Sequence, residues 1–353
     1  MTAERSPQRD DPTLRFTPFK EPKEPFHPSQ ATTDELLRVG LPPRPDIETQ
    51  PLLRRVWDRA FGKDVRLEPF TINPDLQERV QYRLLPRRLE AQPAAQTRFE
   101  GSNNWSGAYI SANRDRHLLQ IWGMWTVPDG LKVPQAPFTG DPGKDYRVAT
   151  WIGLDGQRRY FDASLPQVGT TSILEAGGTR RAEAWVQWWA HDELELKYKV
   201  LPIAIKPNHL VLCVLTVLGP QEVGGIIANL STTPVTVQPV HMTPPLAELP
   251  SGGAARPTIF GATAEWVVER TRDEMANRFD NFPDYGSTEF EFCGAVEGEN
   301  LDVTSVMQGI PMALQGARDI RMFQVLSSPA RTQYISMPHK VDDTTLSVRY
   351  GGF

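Results

Sequence analysis

The chain has 353 residues, 39% of them hydrophobic and 23% charged, with a formal net charge of −5. That length can bury one large core or two smaller ones. The acidic balance leaves no basic face for nucleic acid, and no apolar run approaches the roughly 20 residues that a membrane-spanning helix needs.

Residues 1 to about 31 hold six of the 32 prolines, few aliphatic residues and many charges, which is the composition of an extended or disordered arm. Met1 through Arg15 is polar, carries both signs of charge and lacks the apolar segment of a secretory signal. By sequence the protein therefore stays in the cytoplasm, unless a leader has already been removed. From Thr32 the pattern turns helical. Thr33-Asp-Glu-Leu-Leu supplies a cap and an acidic first turn, and Leu52, Leu53, Val56, Trp57, Ala60 and Phe61 fall on one helical face. Asn73-Pro74 predicts a third short helix through Gln81 or Leu85, and Arg87 to Thr97 reads as a linker. Residues 32–100 are thus either a small helical domain of unrelated function or a prosegment that covers a groove elsewhere.

From Ser102 onward the pattern is that of short strands. Trp105–Ile110, His117–Val127, Tyr146–Leu154, Ile173–Leu174 and Arg181–Ala190 are aromatic-rich and punctuated by glycine and proline. Leu194–Ile203, His209–Leu218, Gly225–Leu230, Val235–Val240, Ala262–Arg270, Ser287–Cys293, Asp319–Leu326 and Thr345–Tyr350 continue the series. Such spacing predicts an all-β fold, an antiparallel β-sandwich of the concanavalin or lectin-like kind, over residues 101–353. Met242–Pro257 reads as a Pro/Gly loop, and Asn300–Gly316 as loop with a helical turn.

Cys213 and Cys293 allow at most one disulfide, and spacing does not decide whether it forms. Asn104-Trp-Ser106 and Asn229-Leu-Ser231 are glycosylation acceptors only in a secreted eukaryotic setting. The six histidines are scattered, without His-Glu-x-x-His or paired His/Cys spacing, so no metal is expected. Gly-x-Ser-x-Gly and Asp-Thr-Gly are absent, and Cys213 lies in the apolar run Leu210–Val217, the setting of a core residue.

A carboxylate and an amide remain as candidate chemistry. Alternation places Glu183, Trp185, Gln187 and Trp189 on one strand face, which reads as a lined groove. Glu265 can act as a general base on water, and Gln167 can stabilise the resulting oxyanion, if the fold brings them together. Trp105, Trp122, Trp125 and Trp266 read as packing residues, and Glu269 as a solvated or hydrogen-bonded strand residue.

Five segments occur in the order seen in one family. Ser102-Asn-Asn-Trp-Ser-Gly107, Trp151-Ile-Gly-Leu-Asp-Gly156, Leu165-Pro-Gln-Val-Gly169, Ala184-Trp-Val-Gln-Trp-Trp189 and Thr263-Ala-Glu-Trp-Val-Val-Glu269 resemble the motifs of the glutamic peptidases (eqolisins). Phe282–Phe290 and Leu346–Tyr350 look similar as well, so the resemblance spans about residues 101–353. It implies a β-sandwich endopeptidase that is active in acid, needs no metal or cofactor and takes a polypeptide substrate. It also implies a secreted protein, against the cytoplasmic reading of the N-terminus, and a monomer is expected. The family's catalytic glutamine lands on Gln167 and its glutamate on Glu265, not on Glu269. Its groove residues land on Trp151, Asp155, Glu183, Trp185, Gln187 and Trp189.

The departures are local. Pro166 removes a backbone donor beside Gln167, and Arg158 and Arg159 sit in a lengthened loop. Gln187 stands where the family has a carboxylate, and Trp189 where it has a tyrosine. The runner-up class is a non-catalytic sandwich that binds carbohydrate or peptide, since an aromatic-lined sheet also stacks sugars.

Overall fold

The computed structural model describes residues 15–16, 26–68, 82–83, 99–135, 140–141, 143–156, 164–190, 198–245, 247–248, 254–273, 278–327 and 330–351. The helix expected after Asn73, the linker from Arg87, most of the N-terminal arm, and Arg158 and Arg159 lie outside those residues.

In chain order, β1 (Arg15–Phe16) precedes helices α1 (Thr33–Arg38) and α2 (Pro51–Phe61) and the short strands β2 (Val65–Leu67) and β3 (Tyr82–Arg83). Then come β4 (Phe99–Ser102), β5 (Trp105–Ser111), β6 (His117–Thr126), β7 (Tyr146–Leu154), β8 (Ser164–Leu174) and β9 (Arg180–Ala190). Next are β10 (Lys199–Val200), β11 (Leu210–Gly219), β12 (Glu222–Asn229), β13 (Val235–Thr243), β14 (Ala247–Glu248), β15 (Ala254–Ala255) and β16 (Thr263–Glu269). Short β17 (Arg272–Asp273) and β18 (Arg278–Phe279) lead to β19 (Ser287–Gly298), helix α3 (Val303–Met307) and β20 (Ile310–Met312). The chain closes with β21 (Arg318–Ser327), β22 (Ala330–Lys340) and β23 (Leu346–Tyr350).

The strands form two layers, as the alternation predicts. A front layer runs β10–β9–β8–β7–β16–β5–β21, every pair antiparallel. A back layer runs β23–β19–β6–β11–β12–β13, also antiparallel. Strand β22 joins them, pairing with β21 on one side and β23 on the other. Parallel contacts occur where β2 lies on β13 and β4 on β21.

Residue parity sorts the side chains. Even positions of the front strands (Ile152, Val168, Val186, Trp188, Trp266) meet odd positions of the back strands (Trp125, Cys213, Leu215, Ile227) in the main core. The indole of Trp266 crosses the gap and donates to the Trp122 carbonyl at 2.9 Å. Cys213 and Cys293 are free thiols in that core, which settles the disulfide question.

The back layer's outer face carries Trp122, Met124, Leu212, Val214 and Ile226, and the N-terminal helices cover it. Helix α1 begins at a capping box: the Thr32 hydroxyl accepts from the Glu35 amide while Glu35 accepts from the Thr32 amide. Helix α2 starts on Pro51, where the missing N–H costs nothing. Its Leu53, Val56, Trp57, Ala60 and Phe61 are buried, which is the predicted stripe. Both helices therefore sit on the side of the sandwich away from the front layer's outer face.

Several expectations needed revision. Strand β8 runs the full eleven residues from Ser164, rather than only Ile173–Leu174. The segment read as a Pro/Gly loop contains the β14–β15 pair, and Asn300–Gly316 has the expected helical turn, α3, but adds the strand β20. Of the strand expected over Leu194–Ile203, the described part is a strand only at Lys199–Val200.

Candidate active site

The front layer buries its outer face as well as its inner one: β7, β8 and β16 are buried at every position. Odd positions of β5, β7, β8, β9 and β16 gather there, with Trp105, Tyr109, Trp151, Leu165, Trp185, Trp189 and Val267 in one cluster.

Register assembles this face into rows. Tyr109 on β5 lies opposite Glu265 on β16, Glu265 opposite Gly153 on β7, Gly153 opposite Gln167 on β8, and Gln167 opposite Gln187 on β9. Directly opposed residues of antiparallel strands point to the same face. Strand spacing is about 4.8 Å, so Glu265 and Gln167 stand roughly 10 Å apart at the backbone, with only a glycine between them. A Cβ at Gly153 would come within 2.7 Å of Leu165 Cδ1 and 2.9 Å of Trp151 Cζ3. The glycine thus lets those two side chains close over the backbone between the carboxylate and the amide.

The next row, two residues along, is Val267–Trp151–Gly169–Trp185, and the one after it is Trp105–Glu269–Ala149–Thr171–Glu183. Glu269 fixes the tryptophan between them. It accepts from the Trp151 indole at 2.8 Å and from the Asn104 side-chain amide at 3.0 Å. Trp105 stacks edge-on against Trp151 with ring centroids 4.9 Å apart. Trp105 is therefore part of this face and not of the main core, in contrast to Trp125 and Trp266.

Glu183 accepts from the Tyr198 hydroxyl at 3.0 Å and from Arg181 Nη1 at 2.8 Å, and Tyr198 lies edge-on to Trp185. Trp189 pairs with Leu165 one row beyond Gln187. Asp155 follows the end of β7 with a positive φ of 65°. Its carboxylate accepts from the backbone amides of Phe260, Gly261 and Ala262 at 2.7, 3.2 and 2.6 Å. It thereby ties β7 to the loop that delivers Glu265. Burial pushes the Asp155 pKa up to about 6, outweighing those amides.

Pro166 sits one residue past the last β7–β8 pair, Gly153–Gln167, so its missing donor falls where that ladder has already ended. The row itself is shut off from solvent: Glu265 is 0% exposed, and Gln167 and Gln187 are 1% exposed. Gln167 Nε2 donates to Gln187 Oε1 at 3.0 Å.

The model of the Peptidase A4 family matches residues 103–327, a span that contains every one of these residues. The chain belongs to that family. It is a glutamic-type endopeptidase, a hydrolase of peptide bonds. No curated protein matches it by sequence. Among solved structures it is similar to scytalido-glutamic peptidase with a peptide-based transition-state analog, at TM-score 0.49 and 16% identity over 70% of this chain and 98% of that one. It is also similar to SCP-B, a member of the eqolisin family, in complex with the tripeptide Ala-Ile-His, at TM-score 0.45 and 17% identity, again over 70% and 98%. Aspergilloglutamic peptidase from Aspergillus niger gives TM-score 0.42 and 18% identity, over 58% and 99%.

Sequence reasoning about this peptidase missed Tyr109, Tyr198 and the Glu269–Asn104 anchor. Tyr109 shares its strand face with Trp105, two rows away, and that parity was the available signal. Glu269 shares parity with Glu265. Its partners, Asn104 and Trp151, come from segments more than a hundred residues distant, where no local pattern points. No described helix is long and apolar enough to cross a membrane.

Proposed function

We propose that the peptide bond is cleaved over the Glu265–Gly153–Gln167 row, with Glu265 as general base and Gln167 as oxyanion donor, and that the reaction is favoured in acid. Glu265 takes a proton from water as the water oxygen adds to the carbonyl carbon. The carbonyl oxygen becomes an oxyanion that accepts from Gln167 Nε2. Glu265 then returns the proton to the amide nitrogen as the C–N bond breaks, leaving a free acid and a free amine. No covalent intermediate is required. Trp151, Trp185, Gln187 and Trp189 flank the row as walls for an extended peptide, while Asp155 and Glu183 hold the surrounding backbone and side chains in place.

One observation carries this reading: the single-row register that puts a carboxylate and an amide on one face with a glycine between them. A general base must come within direct or one-water reach of its proton, and a bulkier residue at 153 would push against Leu165 and Trp151 and disturb the spacing of the pair. Because the row is closed to solvent, a polypeptide reaches it only when this face is uncovered.

The division at about residue 100 belongs to the same proposal. Residues 101–353 carry the peptidase, and the helical part of residues 32–100 forms a fixed layer on its back.

Digestion of an unfolded protein with chelator present, followed by amine release from about pH 2 to 7, tests the proposal. Cleavage strongest in acid is expected. A folded protein that cleaves nothing across that range would overturn it and leave a binding module.

A further inference from the structure

The catalytic row holds two amides, and the chemistry above uses one. Gln167 and Gln187 lie directly opposite each other on β8 and β9, both 1% exposed. Gln167 Nε2 donates to Gln187 Oε1 at 3.0 Å. That leaves Gln167 Oε1 and Gln187 Nε2 buried with no hydrogen-bond partner among the described residues. The neighbouring carboxylates are in a different state. Glu269, Glu183 and Asp155 each accept at least two hydrogen bonds.

An unpartnered buried amide costs on the order of 1–3 kcal/mol. Indoles and hydroxyls of this fold are also left open, but these two amides are directly opposed and stand beside the proposed reaction centre. An amide nitrogen carries two hydrogens. Gln167 gives one to Gln187 and keeps one, while Gln187 keeps both. The Gln187 carbonyl also locks the Gln167 amide in one orientation, so its remaining N–H is aimed before substrate arrives.

We propose that Gln187 is a second catalytic donor, so that the oxyanion formed over Gly153 is held by a paired-amide site, Gln167 and Gln187, rather than by one glutamine. This rests on the reading that the peptide bond is cleaved at this row. An ionised carboxylate at position 187 could accept from Gln167 but could not donate to the oxyanion. Donors aimed at the position of developing charge act in the transition state, and removing one lowers kcat by about 10²–10³-fold. The charged and titratable groups around the pair are Glu265 and Tyr109 within the row, with Glu100 bound to Tyr109. In the adjoining rows they are Asp155, Glu269 and Glu183, the last with its partners Arg181 and Tyr198.

Two variants decide the matter, assayed by steady-state hydrolysis of a peptide substrate across acid and neutral pH. Gln187→Leu is expected to lower kcat by about 10²-fold with KM changed less than about threefold. Gln187→Glu keeps the acceptor for Gln167. Its protonated carboxyl retains an O–H donor, so it should work in acid and lose activity over the pH range where that carboxyl ionises, a fall steeper than the wild type's own decline away from acid. If Gln187→Leu does not fold, the pH profile of Gln187→Glu decides alone. A Gln187→Leu variant with unchanged kcat and raised KM would overturn the proposal and leave Gln187 as a groove wall. A Gln187→Glu profile that follows wild type throughout would also overturn it. The two readings fail separately. Wild type and Glu265→Gln of equal activity would sink the catalytic row itself. An active wild type, an inactive Glu265→Gln and an unimpaired Gln187→Leu would remove only the second donor.

Discussion

At the scale of single residues, the front face holds carboxylates with separate tasks, set by their neighbours. Asp155 is buried, bonded to three backbone amides and pushed up to about 6. The folded state therefore holds a proton there at pH values where the unfolded chain has lost it. The associated stability is fully present below the ordinary aspartate range and is lost as pH rises through about 6. At about 1.4 kcal/mol per pKa unit, the gain on the acid side is roughly 3 kcal/mol. Denaturant unfolding of the wild type from pH 7 down to 4 should show stability rising by that order, and Asp155→Asn should flatten the rise. A wild-type curve that falls across that window would contradict the assignment. Such a carboxyl suits the acid reaction proposed above.

At the scale of elements, β7, β8 and β16 meet through glycine. Gly153→Ala places a methyl against Leu165 and Trp151, and overpacking of that kind costs typically 1–3 kcal/mol. The same methyl would push apart the walls between Glu265 and Gln167. We expect Gly153→Ala to lower kcat/KM at least about tenfold while the protein still folds, as read by circular dichroism and peptide hydrolysis together. Full activity in the variant would show that the reaction does not depend on the close packing of Leu165 and Trp151 over Gly153.

Much of this level was readable in advance. The alternation of Glu183, Trp185, Gln187 and Trp189 predicted which side chains of β9 share a face. Strand β7 was bounded correctly at both ends because Tyr146–Leu154 is mostly apolar and flanked by Pro142-Gly143 and Asp155-Gly156. Pairing partners were not readable. Nothing near Glu265 names Gly153 or Tyr109 as its neighbours, because ladder hydrogen bonds form between segments over a hundred residues apart. Strand β22 was missed for a related reason. Ala330–Lys340 mixes Arg331, Gln333, Pro338, His339 and Lys340 with few apolar residues, and its place is fixed by β21 and β23 on either side.

At the scale of the whole molecule, the helical pattern of residues 32–61 was legible but its location was not. An amphipathic stripe says that a face is buried and not against what. The stripe lies on Trp122, Met124, Val214 and Ile226 of the back layer, with the front face on the other side of the sandwich. Burying one large apolar side chain contributes about 1.5–3 kcal/mol, and domains have only about 5–15 kcal/mol in total. Stripping Leu53, Val56, Trp57 and Phe61 from that surface would remove a comparable amount. A chain beginning at residue 101 should therefore be insoluble or lose its cooperative thermal transition. A soluble, cooperatively folding 101–353 fragment would show instead that the helices are a detachable prosegment.

The central claim is that chemistry belongs to Glu265, while Glu269, four residues along the same strand face, serves to hold Trp151. Both are fully buried glutamates in one motif, and glutamine keeps the shape of either. Parallel measurement of kcat for Glu265→Gln and Glu269→Gln, on one peptide substrate in acid, separates them most directly. We predict a loss of at least about 10²-fold for Glu265→Gln, the typical contribution of a general base, and a far smaller one for Glu269→Gln. Equal losses, or a larger loss at Glu269, would contradict the assignment.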